Sequence, residues 1–498
     1  MKRLPTLVYI PLAFALVKIL LHLATANTLG FHRDEFLYLA LGRHLDWGFW
    51  SNPPFIGFVS WLSQNLLGDS LMATRFLPAL CGGGLVLLTG LMVRDLGGGR
   101  FAQVLCGTAM LFSIAWLRAY SMLQPVPFDV FFWALLSFGL LKWLKTNDTR
   151  WWWFIGATAG IGFLNKYSIV FWAAALLGAL LVTPQRKVLA TRMPWLAAGL
   201  ALLILSPNLL WQWQYNFPVV HHMEELARYQ LQNVVPVNFL VDQLLFHGPG
   251  GAALWIAGLI FLLRAPVMQP YRLLGWFYVA ILLVFLALNG KSYYTLGAYP
   301  VLFAAGAVWW ERFLQKAWPR AVLVAAVVAP ALPLFPTGIP VWRPERLVQY
   351  FRGLTDKGIV AVRWEDGELH PLPQDYADML GWVELEGLAY KAAMKAGNNA
   401  YIIYGDNYGQ AGAVDYFVHS TRLLPNPTVA SFSDSYRLWA PDTLAPDVKT
   451  LIYINDEDPG EDVQELFADI QLIGKVENTY ARERGTGVWL CREPRSSA

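Results

Sequence analysis

Long apolar stretches separated by short polar connections fill most of the first 340 residues of the chain. A helix needs about 20 apolar residues to cross a hydrocarbon core of ~30 Å, and stretches near this length recur along the chain. The stretch at 151–164 is short, which predicts a tilted or re-entrant helix. The pattern predicts an all-α polytopic membrane domain of about 11 transmembrane helices. The stretches begin near residues 7, 71, 101, 126, 151, 167, 193, 251, 273, 294 and 320.

The pattern changes near Pro340, where the long apolar runs stop. Short β-prone runs then alternate with segments of helical periodicity, which is typical of a small α/β domain. We therefore predict two domains, a transmembrane domain of residues 1–339 and a soluble α/β domain of residues 340–498. The predicted strands are 401–404, 451–454 and 488–491, and the predicted helices are 384–396, 410–418 and 463–470.

Composition and charge agree with this division. Hydrophobic residues make up 56% of the sequence, charged residues make up 15%, and the mean hydropathy is +0.39, which excludes an ordinary water-soluble protein. The formal net charge of +3 combines +12 in residues 1–339 with −9 in residues 340–498. The apolar composition predicts the lipid bilayer as a partner. Because the sequence has no polybasic tract, we expect no nucleic acid partner.

The basic residues predict the orientation of the chain. Connections on the N-terminal side of the membrane, together with Lys2 and Arg3, contain fifteen Lys and Arg residues, against seven on the opposite side. Since basic residues concentrate in cytoplasmic loops, we predict a cytoplasmic N-terminus and an extracytoplasmic domain at 340–498. No small-residue cleavage site follows Leu7–Ala26, so we interpret this stretch as a retained anchor rather than a signal peptide.

Polar residues gather at the ends of the predicted spans on the extracytoplasmic side. A charge near a span end is costly unless it faces a water-filled cavity, so we expect one outward-facing polar cavity to contain them. The acidic pair Asp34-Glu35 lies just after the first span, and Asp129 begins the fourth. The cations and hydroxyl groups on this side are Tyr38, Arg118, Lys166, Lys291, Tyr293 and Tyr294.

These residue types suit the transfer of a sugar from a lipid phosphate. The leaving group is an anionic phosphate, which needs cations and hydroxyl donors more than a general acid. An acceptor hydroxyl needs a carboxylate to take its proton, which contributes ~10²–10⁴-fold. Asp34 is the predicted base, with Glu35 and Asp129 as further carboxylates of the catalytic group. The predicted donor-phosphate ligands are Arg118, Lys166, Lys291, Tyr293, Tyr294 and Tyr38.

Each candidate also has a purely structural interpretation. The acidic pair fits the solvated start of a short amphipathic helix over 33–45, and Asp129 fits the N-terminal charge of a span. Lys166 and Lys291 fit lysines that extend from span ends toward the membrane surface. Position alone does not decide between these interpretations.

A further polar group has the residue types of a metal site. His221-His222 with Glu224 could bind a divalent metal ion, although adjacent histidines in a loop are also ordinary polar surface. A divalent metal is the one cofactor that the sequence suggests. The segment 405–409, Gly-Asp-Asn-Tyr-Gly, lies between a predicted strand and a predicted helix, and fits either a plain turn or an anion site at a helix N-terminus.

The first outer loop resembles that of a known enzyme group. Residues 33–38, Arg-Asp-Glu-Phe-Leu-Tyr, precede residues 50–55, Trp-Ser-Asn-Pro-Pro-Phe, and a new apolar stretch. This order resembles the loop of glycosyltransferase family 39, with its protein O-mannosyltransferases, and of the lipid A aminoarabinose transferases, which show an Asp-Glu pair, a nearby Tyr, a tryptophan-bearing stretch and Pro-Pro. Further matches to family positions are Arg118, Asp129, Lys166 and the segment from Lys291 to Pro300.

The resemblance implies a membrane glycosyltransferase with the GT-C fold. It would take a sugar from a polyprenyl-phosphate donor at the outer face of a bacterial inner membrane, with Asp34 as the base, and pass it to an envelope lipid, glycan or protein. Two departures are informative, since Leu37 and Asn52 stand where the aminoarabinose transferases have basic residues. They weaken the expectation of lipid A as the acceptor and leave the donor phosphate to the cations and tyrosines named above.

Two functions of other classes compete with this one. A transporter or flippase of lipid-linked sugars would fit the many spans, but the sequence has no internal repeat and few charges in mid-span. A receptor or scaffold would use the soluble domain to bind envelope partners and would need none of the first-loop motif. The sequence therefore favours the transferase.

Overall fold

The structure is a computed structural model that describes residues 6–229, 235–397, 399–424 and 427–495. Every predicted apolar stretch contains a helix, which confirms the mainly helical, polytopic architecture. By length and composition, five described helices could cross a membrane, or seven if each of two bent pairs is one span. The number of crossings therefore stays a prediction.

The chain divides into two compact units. The first, which we call the helical unit, comprises Met1–Thr25, Asn52–Phe55 and Arg75–Ile339. The second, which we call the sheet unit, comprises Ala26–Ser51, Ile56–Thr74 and Pro340–Ala498. The first loop, which precedes residue 339 in the sequence, thus packs with the C-terminal residues.

In the helical unit, small residues let helix backbones approach closely. A Cβ atom on Gly258 would lie 2.0 Å from the Leu302 carbonyl oxygen, and one on Gly306 would lie 1.9 Å from the Leu254 carbonyl oxygen. Helices Gly248–Arg264 and Tyr299–Phe313 therefore pack backbone to backbone, as is common between helices in membranes. The helices that lie wholly or mainly in this unit are Thr6–Thr25, Leu71–Asp95, Arg100–Leu111, Ile114–Ala119, Pro125–Thr146, Trp151–Asn165, Ile169–Leu181, Pro184–Ala190, Met193–Gln214, Pro218–Tyr229, Pro236–Leu245, Gly248–Arg264, Pro266–Tyr271, Arg272–Ala287, Ser292–Ala298, Tyr299–Phe313, Ala317–Ala331 and Phe335–Gly338.

The sheet unit contains a five-stranded mixed sheet. The strands are β1 Tyr401–Gly405, β2 Thr428–Ala430, β3 Thr450–Asn455, β4 Phe467–Lys475 and β5 Gly487–Pro494. Their order in the sheet is β2-β1-β3-β5-β4. Strand β1 pairs in parallel with β2 and β3, while β5 pairs antiparallel with β3 and β4. The helices are Arg33–Arg43, Phe55–Leu67, Pro344–Thr355, Gln374–Ala377, Trp382–Ala396, Tyr408–Thr421, Asp434–Leu438 and Glu461–Leu466.

The predicted α/β character of the C-terminal part is confirmed, although the sequence did not predict strands β2 and β4. Strands β1, β3 and β5 and helices Trp382–Ala396 and Tyr408–Thr421 form where the sequence predicts them. The predicted helix over 463–470 is wrong beyond Leu466, because residues from Phe467 onward form β4 and pair with β5. Edge pairing across the sheet outweighs the local helical pattern there.

The short helix of the first loop, Arg33–Arg43, belongs to the core of the sheet unit. Phe36 is fully buried and its ring lies 5.4 Å from that of Trp382. A Cβ atom on Gly412 would lie 2.9 Å from the Cβ of Phe36, so this glycine lets helix Tyr408–Thr421 pack directly against the first-loop helix. The loop is therefore held by the same apolar core as the sheet.

Candidate active site

In the helical unit, Lys166 lies among aromatic rings and a carboxylate. It follows helix Trp151–Asn165, whose last residue donates a hydrogen bond from its Nδ2 to the Pro125 carbonyl oxygen at 3.0 Å. This bond joins the end of one helix to the start of helix Pro125–Thr146. The Lys166 Nζ lies 4.8 Å from the ring centre of Tyr294 and 5.4 Å from that of Tyr293, which are cation–π distances.

The carboxylate in this cluster is Asp129, which is buried one turn into helix Pro125–Thr146. Ser168 donates a hydrogen bond to its Oδ1, and the Trp133 indole Nε1 donates to the Ser168 Oγ at 3.4 Å. Asp129 and Lys166 attract each other electrostatically. A buried carboxylate with these contacts is suited to orient the lysine, because its attraction favours the charged ammonium.

The segment Ser292–Ala298 packs against two helices that carry predicted site residues. It contacts the helices that contain Arg118 and Asp129 and is anchored by the Thr295 hydroxyl, which donates to the Gln243 Oε1 at 2.7 Å. A Cβ atom on Gly297 would lie 2.4 Å from the Cβ of Trp133, so only glycine permits this approach. Tyr293 and Tyr294 belong to this segment and Lys291 precedes it, and Lys291 is near enough to Lys166 to repel it.

A cavity of about 340 Å³ opens beside Lys291. Its polar wall includes Asn238, Asp242 and Ser292, and the Ser292 hydroxyl donates to the Asp242 Oδ2 at 2.6 Å. The remaining lining residues are Val235, Phe239, Phe246 and Tyr293. The space therefore combines a cation and hydrogen-bonding groups with an apolar wall, as small-molecule sites do.

In the sheet unit, a capping box begins helix Arg33–Arg43. The Asp34 backbone N–H donates to the His32 Nδ1 at 3.1 Å, and the His32 backbone N–H donates to the Glu35 Oε2 at 2.8 Å. This reciprocal pair satisfies two N–H groups that a helix start otherwise leaves without partners. Glu35 is completely buried in this box. The structure thus gives Glu35 a structural role, whereas the sequence placed it among the catalytic carboxylates.

Asp34 has a different environment from its neighbour. About 32% of its side chain is exposed, and its Oδ1 accepts a hydrogen bond of 2.7 Å from the Tyr408 hydroxyl. Its Oδ2 lies 3.9 Å from the His32 Nδ1. Asp34 is thus oriented by a donor on one oxygen while the side chain stays accessible, which suits a base that must reach a substrate hydroxyl.

Charged groups surround this carboxylate on the protein side. The Arg33 guanidinium lies 4.6 Å from the centre of the Tyr408 ring, and the His32 Nε2 lies 3.7 Å from the Asp378 Oδ2. Burial raises the pKa of Asp378, although His32 and then Arg482 oppose this shift. Burial, followed by the charge of Asp34, raises the pKa of Tyr408 well above its ordinary value. Tyr408 therefore remains a hydrogen-bond donor at neutral pH.

Tyr408 is the functional candidate that the sequence analysis missed. The signal was present, because Tyr408 lies within the Gly-Asp-Asn-Tyr-Gly segment at 405–409. That segment forms a turn and the N-terminus of helix Tyr408–Thr421, where Asn407 and Gln410 form a second capping box. Its separation of 374 residues from Asp34 hid the pairing.

The paired arrangement seen for Asp34 and Tyr408 does not extend to four other predicted site residues in the described part of the chain, Tyr38, His221, His222 and Glu224. Tyr38 lies one turn after Asp34 and is mostly buried, and its predicted contact with the donor phosphate stays a prediction. His221, His222 and Glu224 lie on helix Pro218–Tyr229, where the side chains of adjacent residues diverge by about 100°.

The metal hypothesis for these three residues is therefore unsupported. Within the described ranges, no group of three or more His, Cys, Asp or Glu side chains is placed to hold a metal ion.

The structure thus gathers the predicted residues into two sets. Asp129, Lys166, Lys291, Tyr293 and Tyr294 converge in the helical unit, with Arg118 on an adjoining helix. Asp34, Glu35 and Tyr38 lie on one helix of the sheet unit. The expectation that a single cavity contains all of them stays a prediction.

Comparison with known proteins agrees with these features. Residues 51–211 match the family model described as dolichyl-phosphate-mannose-protein mannosyltransferase. The lipid A galacturonosyltransferase RgtD of Rhizobium johnstonii is 24% identical over 357 residues, which cover 65% of this chain and 70% of that protein.

Solved structures establish the fold. Crystal structures of ArnT from Cupriavidus metallidurans, one bound to undecaprenyl phosphate and one in the apo state, each match with a TM-score of 0.63 over 97% of both chains. Their sequence identities are 15% and 16%. The first-loop motif, the family match over residues 51–211 and this fold together confirm the resemblance of the chain to the membrane glycosyltransferases of GT-C fold, the group of glycosyltransferase family 39 and the lipid A aminoarabinose transferases.

Proposed function

We propose that this glycosyltransferase moves a sugar from a polyprenyl-phosphate donor to an acceptor at the outer face of a bacterial inner membrane, with Asp34 as the base. The observation that carries the proposal is the environment of Asp34. Its carboxylate is partly exposed and oriented by Tyr408, while Glu35 beside it is buried in a capping box. Of the two adjacent acids, only Asp34 can reach a substrate.

In the proposed reaction the acceptor hydroxyl loses its proton to the Asp34 carboxylate. The hydroxyl oxygen then forms a bond to the anomeric carbon of the donor sugar. The bond between that carbon and the phosphate oxygen breaks, and its electron pair stays on the phosphate. The products are the glycosylated acceptor and polyprenyl phosphate, and the base contributes ~10²–10⁴-fold to the rate.

The leaving phosphate gains negative charge, so cations at its position lower the barrier. Lys166 and Lys291 are the best placed candidates, because Asp129 attracts the former electrostatically and the latter lines the cavity of about 340 Å³. Tyr293 and Tyr294 would add hydroxyl donors beside them, and Arg118 is a further cation on a neighbouring helix. These groups would supply the positive charge that Leu37 and Asn52 do not provide at the positions where the aminoarabinose transferases have basic residues.

Two relatives suggest the donor class. The C. metallidurans structure is bound to undecaprenyl phosphate, and the Rhizobium relative is a galacturonosyltransferase of lipid A. Undecaprenyl phosphate is therefore the carrier that we propose, and galacturonic acid is the first sugar to test. The acceptor is an envelope lipid, glycan or protein, and the sequence departures at Leu37 and Asn52 make lipid A one candidate among these.

The test uses purified protein in lipid nanodiscs with radiolabelled undecaprenyl phosphate–galacturonic acid, and with undecaprenyl phosphate–mannose for comparison. Extracted envelope lipids and glycans serve as acceptors. We expect labelled acceptor and released undecaprenyl phosphate with one of the two donors. Movement of the intact donor across the membrane of proteoliposomes without cleavage would instead identify a flippase, and binding without turnover would identify a receptor.

The proposed location needs its own test. Thr443 is exposed in the sheet unit, whereas Cys491 is buried and should not react. A Thr443→Cys variant in cells should be labelled by a membrane-impermeant thiol reagent added from outside. Labelling only after permeabilisation would place the sheet unit in the cytoplasm and contradict the proposed outer-face reaction.

A further inference from the structure

We infer that Tyr408, which lies in the C-terminal part of the sheet unit, is a positioning residue for Asp34. This inference rests on the proposed function, in which Asp34 is the base. It assigns part of the catalytic arrangement to a residue 374 positions away from that base. The C-terminal part of the chain would then set the orientation of the catalytic carboxylate.

The first argument is geometric. The Tyr408 hydroxyl donates to the Asp34 Oδ1 at 2.7 Å, which is a short, charge-assisted hydrogen bond. The other oxygen, Oδ2, lies 3.9 Å from the His32 Nδ1, beyond hydrogen-bonding distance. Because one oxygen is held and the side chain is 32% exposed, a substrate hydroxyl has a defined oxygen to approach.

The second argument concerns how firmly Tyr408 itself is held. It is the first residue of helix Tyr408–Thr421, directly after the N-cap Asn407. The Gln410 side chain closes that capping box and donates from its Nε2 to the Glu483 Oε2 at 3.0 Å. Arg33 covers the tyrosine ring. The phenol therefore projects from a capped helix start that is hydrogen-bonded to the connection between β4 and β5.

The third argument is electrostatic. Burial and the charge of Asp34 raise the pKa of Tyr408 well above its ordinary value, so its hydroxyl is a donor at neutral pH. The charged groups that interact with Asp34 or Tyr408 from the surrounding elements are His32, Arg33, Asp378 and Asp434. Unlike these groups, Tyr408 donates a hydrogen bond directly from its side chain to the Asp34 carboxylate.

The consequence appears in the rate of turnover. Without the phenol hydroxyl, Asp34 keeps its carboxylate but loses the bond that orients it. This loss should lower kcat by about 10-fold, because even small misplacements of a catalytic group are costly. The KM for the donor should change little, because the carboxylate itself remains.

The experiment measures kcat and KM for undecaprenyl phosphate–galacturonic acid, or for the mannose donor if that is the one used, in wild type, Tyr408→Phe and Tyr436→Phe. Tyr436 is a matched control, since its buried hydroxyl donates to the Asp415 Oδ2 at 3.2 Å in the same unit. Tyr436→Phe should leave kcat near the wild-type value. Incorporation of 3-fluorotyrosine at position 408 keeps both the shape and the donor, so it should retain the wild-type kcat.

The outcomes separate the two claims. If Asp34→Asn abolishes transfer while Tyr408→Phe keeps the wild-type kcat, the inference is overturned and the proposed function stands. If Asp34→Asn retains transfer, the proposed base is wrong and the inference falls with it. Should Tyr408→Phe fail to fold, 4-methylphenylalanine at position 408 decides in its place, since it fills the space of the hydroxyl without donating; wild-type kcat in that protein would overturn the inference.

Discussion

The helical unit and the sheet unit differ in the chemistry that they hold. The helical unit gathers Lys166, Lys291 and two tyrosines near the buried carboxylate Asp129. The sheet unit holds Asp34, partly exposed and hydrogen-bonded to Tyr408. In the proposed reaction, the cations of the helical unit neutralise the phosphate and the carboxylate of the sheet unit takes the proton. Changes in the two units should therefore damage different steps of the same reaction.

The net charges follow the same division along the sequence. Residues 1–339 carry +12 and residues 340–498 carry −9. The first-loop helix is an exception to the sequence order, because Arg33–Arg43 precedes residue 339 but packs in the core of the sheet unit. The proposed base and the predicted cations both precede residue 340 in the sequence. They belong to different units only when the chain is divided by its contacts. Four predictions test this comparison.

The largest effect is expected at Asp34. Asp34→Asn removes the proton acceptor and keeps the shape, so kcat should fall by at least ~10²-fold in a protein that remains folded. Its neighbour gives the contrast, because Glu35→Gln can still accept from the His32 N–H and should retain most activity. Turnover of the radiolabelled donor, with thermal unfolding as a check on folding, measures both. Equal losses in the two variants would contradict the distinct roles of these acids.

The next effect is expected at the cation cluster. Lys166→Met keeps the aliphatic length and removes the charge, and a charge-assisted phosphate contact is worth ~1.5–3 kcal/mol. Donor binding or transfer should therefore weaken by ~10- to 150-fold, and Lys291→Ala should act in the same direction. The measurement is kcat and KM against donor concentration.

The matched control for the cation variants is Lys316→Ala. Lys316 is exposed at the start of helix Ala317–Ala331 and should be nearly neutral. If Lys166→Met behaves like this control, the cluster of Lys166 with Tyr293 and Tyr294 is structural.

A stability effect is expected at the ion pair between Arg43 and Asp415, which joins the first-loop helix to helix Tyr408–Thr421. Burial opposes ionisation of Asp415, but His419 and Arg43 lower its pKa to about 2. The folded pKa lies below the unfolded value of about 3.9, so this stabilisation is complete above about pH 4 and is lost as the pH falls through about 2.

Asp415→Asn leaves the Arg43 guanidinium without its counter-ion and should destabilise the sheet unit by about 3 kcal/mol. It should also flatten the acid dependence below pH 4. Urea-induced opening, followed by protease sensitivity, measures both. Asp366→Asn is the control, because its ion pair with His370 is largely exposed and should contribute little. Identical acid profiles for wild type and Asp415→Asn would contradict the assignment.

The smallest effect is expected where the first-loop helix meets helix Tyr408–Thr421. Gly412→Ala gains about 1 kcal/mol of helix propensity, but its Cβ would lie 2.9 Å from the Phe36 Cβ and 3.2 Å from the Phe36 carbonyl carbon. Overpacking against a backbone costs about 1–3 kcal/mol, so the net change should be destabilising by about 1 kcal/mol. Gly387→Ala, where nothing lies within 4 Å, should be stabilising instead. The same urea assay measures the opposite signs.

Much of the fold followed from the sequence because its signals are local. Apolar length predicted a helix in each long apolar stretch of residues 1–339, and β-prone runs predicted β1, β3 and β5. Strands β2 and β4 were not predicted, because β2 has only three residues and residues from Phe467 form a strand by pairing with β5. The three predicted strands and the helices between them were enough to predict the α/β class.

The candidate site shows the same limit. The motif identified both Asp34 and Glu35 as candidates for the catalytic group. Their different burial, which the sequence does not reveal, distinguishes the partly exposed Asp34 from the buried Glu35. Tyr408 could not be paired with Asp34 from the sequence, because their hydrogen bond joins residues far apart in the chain. Convergence of Lys166 with Tyr293 and Tyr294 was expected from their position at span ends and is observed within the helical unit.

The discontinuous sheet unit has a consequence for biosynthesis. Its first pieces, Ala26–Ser51 and Ile56–Thr74, leave the ribosome about 265 residues before Pro340. Until the later residues arrive, Phe36 and Leu39 have no apolar partners from the C-terminal part of their core. The apolar face of the first-loop helix therefore stays uncovered by these partners while the intervening helices are synthesised. Conversely, a fragment of residues 340–498 lacks part of its own core and should fail to fold alone. Maturation of the proposed base is thus postponed until translation is nearly complete.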